Sequence, residues 1–297
     1  PEYVNCENSA VGGVVSALKT FTRPGDPVLV HLPNYTGFTF AIAHAGCRMA
    51  GSPLIRDEAG VFRMDWADME RKFSQEHVRC MILCSPHNPT GRVWTREELE
   101  RAGALCEKYG VSVISDEVWA DFVFKPAHYL PTAAACDYLR RNTVTVCGAS
   151  KTFNLSGLHT AYSIVYDDDL RRRYQKKASE SHYNSPNTLS AAALIGAYTG
   201  GQRYVDELKA YIRKNMEAAD EFLGREVPAV RGYLPEGTYN MWLGFTGTGR
   251  SQEDNIRLLG EQGLILSPGS DYNAEGWFRM NLACPREQVE QGLQALK

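Results

Sequence analysis

An alternation of strand-like and helix-like segments constrains the fold of this 297-residue chain more than any other feature. Four short apolar stretches predict buried strands, and segments with helical patterns separate them. The stretches are residues 27–31, 79–84, 111–115 and 143–147. Parallel strands joined by helices of this length form a sheet with helices on both faces. We therefore predict an α/β fold of three layers, with a mostly parallel sheet in the middle.

The pattern changes near residue 168, where long helical segments begin. They are interrupted at Gly200-Gly201, and short strand-like segments and a terminal helix follow. We predict a large domain over residues 1–199 and a smaller C-terminal α+β domain over residues 200–297. The chain opens at Pro1 and enters a helix-like segment almost at once. We expect that the natural protein has a further N-terminal segment.

Composition argues against several classes of protein. The formal net charge is -3, so there is no basic excess for nucleic acid or anionic lipid. No apolar run approaches the roughly 20 residues of a spanning helix. The eight cysteines form no Cys-x-x-Cys pair and most lie in apolar segments, which is typical of a reduced, cytoplasmic protein. Cys80 and Cys84 have no nearby histidine pair, and we predict no metal site.

Polar residues follow three of the predicted strands. Asn88 lies between Pro86 and Pro89, Asp116 ends the next strand, and Lys151 follows the last. Right-handed crossovers place these strand ends side by side, at the edge where ligands bind in such sheets. An amide, a carboxylate and a lysine are what a pyridoxal phosphate site needs. The lysine bonds to the aldehyde, the carboxylate keeps the ring nitrogen protonated, and the amide donates to the phenolate oxygen.

Several longer motifs then carry a family resemblance. In chain order they are "SPHNPTGRVW", "ISDEVWADFVF", "GASKTFNLSGLHTAY", "PEGTYNMWLGF" and "FRMNLACP". Together they resemble the signatures of fold-type I pyridoxal-phosphate enzymes of the aminotransferase class I/II family. The wording "NPTGRVWTREEL" and "SKTFNLSGL" is most similar to the cystathionine β-lyase, or cysteine-S-conjugate β-lyase, branch. The resemblance implies a homodimeric enzyme of amino-acid metabolism that uses pyridoxal 5'-phosphate and takes a small amino acid as substrate.

The resemblance also implies roles for the residues that surround the cofactor ring. Lys151 is implied to be the catalytic lysine, which bonds to the cofactor and carries protons. Asp116 is the implied partner of the pyridine nitrogen, Asn88 the donor to the phenolate oxygen, and Tyr35 the aromatic residue that stacks on the ring. For this loop the resemblance suggests that the Asn88-Pro89 bond is cis or lies in a tight turn.

A second group of residues is implied to hold the phosphate. The backbone amides of Val11 and Gly12 match the start of the family's first helix, a position that suits an anion. Ser150 is implied to add a hydroxyl. His159 stands where many aminotransferases have a phosphate-binding arginine, so phosphate binding is expected to be weaker or dependent on pH.

Arg279 matches the residue that clamps the substrate α-carboxylate, and its planar fork suits a bidentate contact. Besides His159, two further positions depart from the family pattern. Trp119 replaces a tyrosine or histidine that supports the phenolate oxygen, and an indole N–H donates but does not accept. Gly148 replaces a serine. Taken singly, residues such as Tyr35 and Arg279 could equally be ordinary packing or surface residues.

The predicted reaction is cleavage of cystathionine or a cysteine S-conjugate to a thiol, pyruvate and ammonia. One alternative is an aminotransferase that passes the amino group to a 2-oxo acid, and another is a catalytically incomplete fragment that retains the fold. The residue types do not separate the lyase from the aminotransferase, since the same lysine serves both. The other histidines, His182 among them, are interpreted as surface or core residues.

Overall fold

The structure, a computed structural model, describes residues 2–181 and 187–297. Its strands in these ranges are β1 (Val4–Glu7), β2 (Pro27–Leu32), β3 (Arg48–Pro53), β4 (Ile55–Arg56), β5 (Phe62–Arg63), β6 (Cys80–Cys84), β7 (Ser112–Asp116), β8 (Thr143–Cys147), β9 (Ala161–Ile164), β10 (Arg231–Gly232), β11 (Asn240–Gly244), β12 (Ser267–Pro268) and β13 (Trp277–Asn281). Its α-helices are α1 (Ala10–Phe21), α2 (Thr36–His44), α3 (Trp66–Gln75), α4 (Arg96–Tyr109), α5 (Asp137–Asn142), α6 (Asp168–Ser179), α7 (Thr188–Gly200), α8 (Gln202–Glu226), α9 (Gln252–Glu261) and α10 (Arg286–Ala295). His182 lies outside the described residues.

A seven-stranded sheet in the order β1-β9-β8-β7-β6-β2-β3 organises the first half of the chain. The five strands from β8 to β3 run parallel, with Cys84 paired to Asp116 and Asp116 paired to Val146. The prediction of a mostly parallel α/β sheet is confirmed. The antiparallel pairs at one edge, β9 with β8 and β1 with β9, were not predicted.

Strand β6 shows why the sheet is covered on both faces. All five of its residues are buried, and successive side chains of a strand point to opposite faces. Ile82 packs into the core that includes Val14 and Leu18 of α1. Met81 packs into the core that includes Leu99 of α4. The continuous apolar run in the sequence therefore reflects burial between two helical layers.

Helix α4 begins and ends where the sequence predicts. Thr95 Oγ1 accepts from the backbone N–H of Glu98 at 3.2 Å, and Glu98 Oε2 accepts from the backbone N–H of Thr95 at 2.9 Å. This capping box satisfies two N–H groups that the helix leaves free. At the other end Gly110 adopts a φ of 66°, a left-handed conformation that stops the helix.

A second, four-stranded antiparallel sheet lies in the C-terminal part, in the order β10-β11-β13-β12. Its core side chains pack with Ile212 and Met216 of α8 and with Leu293 of α10. The division into residues 1–199 and 200–297 stays a prediction.

Within residues 2–181 and 187–297, no helix has both the length and the apolar character needed to cross a bilayer.

Candidate active site

A cavity of about 490 Å³ opens at the carboxyl ends of β6, β7 and β8. Nine of the residues that were predicted as site residues line it, and Gly12 does not. The lining residues are Ser9, Ala10, Val11, Tyr35, Cys84, Asn88, Asp116, Val118, Trp119, Ser150, Lys151, Ser156, His159, Thr160 and Arg279. The strand ends and the C-terminal sheet, through Arg279 of β13, thus face one common space.

Asp116 is the last residue of β7 and is 5% exposed. Burial raises the pKa of its carboxyl to about 6; Glu117 adds to the shift, whereas the Val118 N–H and Lys151 oppose it. The Val118 N–H donates to Asp116 Oδ1 at 3.2 Å. A buried carboxylate with so few donors is stabilised by a cation or an N–H group placed in the cavity.

The loop from Pro86 to Gly91 holds Asn88 at the end of β6. The His87 N–H donates to the Arg92 carbonyl at 2.8 Å, and the Gly91 N–H donates to the His87 carbonyl at 2.7 Å. Gly91 has a φ of 71°, and a Cβ there would lie 2.3 Å from Pro235 Cβ. The Asn88–Pro89 bond is cis, as expected. These contacts fix the direction of the Asn88 amide.

Arg279 couples the C-terminal sheet to this loop. Its Nη1 donates to Asn88 Oδ1 at 3.1 Å. A guanidinium only donates, so the oxygen of the Asn88 amide must face Arg279 and the NH₂ must face away from it. Arg279 Nε is buried and has no hydrogen-bond partner among the described residues. This guanidinium therefore retains donor capacity for an anionic group.

Lys151 lies in the turn that follows β8. The turn is held by the Phe153 N–H, which donates to the Ala149 carbonyl at 2.9 Å, and by Thr152 Oγ1, which donates to Asp121 Oδ2 at 2.6 Å. Lys151 Nζ lies 5.8 Å from the centre of the Trp119 ring. Burial and then Arg279 lower the pKa of Lys151, and Asp116 partly offsets them. The amine is consequently a better base and nucleophile than an exposed lysine.

Tyr35 caps the start of α2, and its ring packs edge-on against Phe38 with centroids 5.5 Å apart. The ring lies over Gly37, where a Cβ would come within 2.4 Å of Tyr35 Cε1. Glycine at this position thus leaves room for the ring. The half-buried face of Tyr35 forms one wall of the cavity.

The start of α1 lines the cavity through Ser9, Ala10 and Val11. Ser9 is the N-cap, and its Oγ accepts from the Gly12 N–H at 3.0 Å. That bond engages the Gly12 amide, whereas Val11 lines the cavity as predicted. Ser156 also lines the cavity, and its Oγ donates to the Ser150 carbonyl at 3.2 Å. Helix amides and hydroxyls at this end can hold an anion.

Trp119 and Gly148, two of the positions that depart from the family pattern, have different surroundings in the structure. Trp119 is buried and packs edge-on against Tyr239, with centroids 4.5 Å apart, so the indole joins the aromatic packing between the two sheets. Gly148 follows β8, and a Cβ there would lie 3.3 Å from the Thr160 carbonyl oxygen. The close approach of the two chain segments favours glycine at that position.

Some lining residues were not predicted. Cys84 is the last residue of β6 and lines the cavity beside the predicted residues, and its position at a strand end was the signal available in the sequence. Ser9 precedes an apolar helix, as an N-cap residue does. Val118 and Thr160 carry no such signal, because only the packing of distant segments brings them to the cavity.

Comparison with known proteins gives matches over nearly the whole chain. The sequence profile of the family described as aminotransferase class I and II matches residues 7–296. Cystathionine beta-lyase PatB from Bacillus subtilis is 35% identical over 300 residues, which is 100% of this chain and 77% of that protein.

Solved structures also match. A PLP-bound putative aminotransferase from Clostridium difficile has a TM-score of 0.95 and 29% identity, covering 99% of this chain and 76% of that one. Cystalysin from Treponema denticola, which contains pyridoxal 5'-phosphate, has a TM-score of 0.95 and 25% identity, covering 99% of this chain and 75% of that one.

Proposed function

The chain belongs to the aminotransferase class I and II family, and from that premise we propose that it is a pyridoxal 5'-phosphate-dependent carbon–sulfur β-lyase. Its proposed substrates are cystathionine or other cysteine S-conjugates, and its products are a thiol, pyruvate and ammonia. The observation that carries the proposal is the convergence of Lys151, Asp116, Asn88 and Arg279 on one cavity. The preference for a lyase over an aminotransferase rests on the relative named cystathionine beta-lyase.

Residues of the cavity suit each chemical group of this cofactor. The buried Asp116 carboxylate suits a protonated ring nitrogen, since it accepts a hydrogen bond from the Val118 N–H and has acceptor capacity left over. The NH₂ of Asn88 is turned away from Arg279 and suits a phenolate oxygen. The Lys151 amine, with its lowered pKa, suits an aldehyde. Amides at the start of α1 suit a phosphate.

When bound, pyridoxal 5'-phosphate supplies a conjugated ring that withdraws electrons from the substrate Cα. Lys151 Nζ would hold the cofactor through its aldehyde and, with its amine free, would remove the proton from the substrate Cα. The C–S bond then breaks, and the sulfur leaves as a thiolate that takes its proton from the Lys151 ammonium. Hydrolysis of the remaining three-carbon fragment gives pyruvate and ammonia. One lysine thus serves as base and then as acid.

The other residues orient and polarise the reacting groups. Asp116 would hold a proton on the ring nitrogen, and Asn88 would donate from its amide NH₂ to the phenolate oxygen. Tyr35 would pack against one face of the ring. Arg279 binds the substrate α-carboxylate through donors that include its free Nε, and its bond to Asn88 ties the position of the substrate to that of the ring.

The deciding experiment is product analysis with cystathionine as substrate. The lyase is expected to release pyruvate and ammonia without an added 2-oxo acid, and Lys151→Ala is expected to abolish release because it removes the covalent anchor and the base. An internal control is an exposed lysine, Lys108→Ala, which is expected to keep full activity. Pyruvate release that requires 2-oxoglutarate, with glutamate accumulating in step, would establish an aminotransferase instead.

We also propose that the protein is a homodimer, in which the interface between the two subunits buries an apolar face of α7. Leu189 and Ile195 of this helix are 76% and 65% exposed, and Tyr198 is 44% exposed. Ser190 is the buried residue of α7 within the described part of the helix. An apolar helix with so little burial favours a protein partner. Sedimentation velocity is expected to give twice the monomer mass, and Ile195→Asp is expected to shift the protein toward monomer.

We propose a cytoplasmic location because the cysteines are not paired in disulfides. All eight are free thiols, which suits a reducing compartment. Export of the protein with retained activity in an oxidising compartment would argue against this proposal.

A further inference from the structure

The guanidinium of Arg279 packs against the ring of Tyr272, a residue between β12 and β13. Its carbon, Cζ, lies 5.1 Å from the centre of that ring, which is within the range of a cation–π contact. Arg279 lines the cavity, whereas Tyr272 is 4% exposed and is not among the described residues that line it. The tyrosine ring therefore supports a cavity residue without lining the cavity itself.

Tyr272 is in turn held by its own neighbours. Its ring packs edge-on against Trp242, with centroids 5.5 Å apart, and Trp242 stacks on Trp277 at 5.7 Å. Trp242 of β11 is paired with Arg279 of β13, so the two side chains project from the same face of the sheet. The Tyr272 carbonyl accepts from the Asn34 N–H at 3.0 Å. Both the ring and the backbone of Tyr272 are thus fixed.

This kind of support leaves the functional groups of Arg279 available. Nη1 donates to Asn88 Oδ1 at 3.1 Å, and the buried Nε has no hydrogen-bond partner among the described residues. An aromatic face attracts a cation without accepting its N–H groups in the plane of the guanidinium. A carboxylate in the place of the ring would neutralise the cation and occupy its donors. The ring therefore orients the guanidinium while its charge remains for a ligand.

Building on the proposed function, we propose that Tyr272 is a positioning residue for the substrate α-carboxylate: its ring holds the Arg279 guanidinium in the orientation that binds this group. A long side chain that is free to move loses conformational entropy when it binds a ligand. A side chain that is already held loses less, which favours binding. Loss of the ring consequently weakens the contact with a carboxylate and leaves the reactivity of the cofactor aldehyde unchanged.

The test compares two small probes on the protein loaded with pyridoxal 5'-phosphate. Aminooxyacetate and methoxyamine both react with the bound cofactor through an aminooxy nitrogen and change its absorbance, and only aminooxyacetate carries a carboxylate. Stopped-flow absorbance gives a second-order rate constant for each probe. Tyr272→Leu removes the aromatic face, and Tyr272→Phe is the matched control because it retains this face and loses only the hydroxyl.

Tyr272→Leu is expected to lower the rate constant for aminooxyacetate about tenfold, which corresponds to a desolvated cation–π contact. Its rate constant for methoxyamine is expected to equal that of the wild type. Tyr272→Phe is expected to react as the wild type does with both probes. In the Arg279→Ala background, Tyr272→Leu is expected to have no further effect, since the two residues act through one contact.

Circular dichroism melting checks that the variants fold. If Tyr272→Leu does not fold, replacement of Tyr272 by pentafluorophenylalanine provides the same test. Fluorination preserves the size of the ring and reverses the charge distribution of its face, which attracts the cation in the natural ring. The same selective loss with aminooxyacetate is expected.

Equal losses with the two probes would overturn the positioning role, since they would indicate a general disturbance of the site. An aminooxyacetate rate that does not change in the variants lacking the aromatic face, or a loss that persists in the Arg279→Ala background, would overturn it as well. These results leave the proposed function standing, because the wild type still binds the cofactor. If the folded wild type binds no pyridoxal 5'-phosphate, the proposed function and this inference both fail.

Discussion

Replacing Asp116 with asparagine is expected to stabilise the cofactor-free protein while removing the charge that its proposed cofactor requires. The carboxyl is 5% exposed and accepts a bond from the Val118 N–H. Asparagine has nearly the same shape, and its oxygen can accept that same bond. The substitution therefore removes the buried charge and leaves most of the packing in place.

The magnitude follows from the change in pKa on folding. The Asp116 carboxyl has a pKa of about 6 in the folded protein against an ordinary value of 3.8. Because the folded value is raised, stability is retained below the ordinary value and lost as pH rises through about 6. At roughly 1.4 kcal/mol per pKa unit, the raised pKa of Asp116 lowers the free energy of unfolding by about 3 kcal/mol at pH 8 and by about 1 kcal/mol at pH 4.5.

Urea unfolding of cofactor-free protein measures this cost directly. Asp116→Asn is expected to raise the free energy of unfolding by about 3 kcal/mol at pH 8 and by about 1 kcal/mol at pH 4.5. Asp169→Asn is the matched control, because that side chain is 82% exposed and its change is expected to stay below about 0.5 kcal/mol at either pH. An equal gain in the free energy of unfolding at the two pH values would refute the reasoning, because it would not depend on the ionisation of Asp116.

Further predictions concern other parts of the site. Arg279→Lys is expected to raise KM for the amino-acid substrate about 10- to 100-fold with a smaller change in kcat, because a lysine loses the planar fork; steady-state kinetics checks this. Gly37→Ala is expected to displace the Tyr35 ring, since the new methyl would lie 2.4 Å from it, and to weaken cofactor binding about tenfold in equilibrium dialysis. Arg92→Ala is expected to lower the free energy of unfolding by about 3 kcal/mol, because it leaves Glu98 and Glu236 without their buried partner; urea denaturation measures the loss.

The sequence by itself determined the local features of this protein. Apolar runs of the right length indicated the parallel strands, and Thr95 and Glu98 indicated the start of α4. It also indicated which strand ends carry Asn88, Asp116 and Lys151, because a residue at the end of a strand has a position fixed by the strand itself. The reaction class came from motifs that resemble a family.

Only the tertiary structure decided the contacts and the burial that depend on segments distant in the sequence. Arg279 bonds to Asn88 across a separation of 191 residues, and the folded chain brings His159 and Val11 to one cavity. The raised pKa of Asp116 likewise depends on burial by surrounding atoms. Local periodicity and turn chemistry specify neighbours along the chain, whereas burial and charge interactions sum over groups that meet only after the chain has folded.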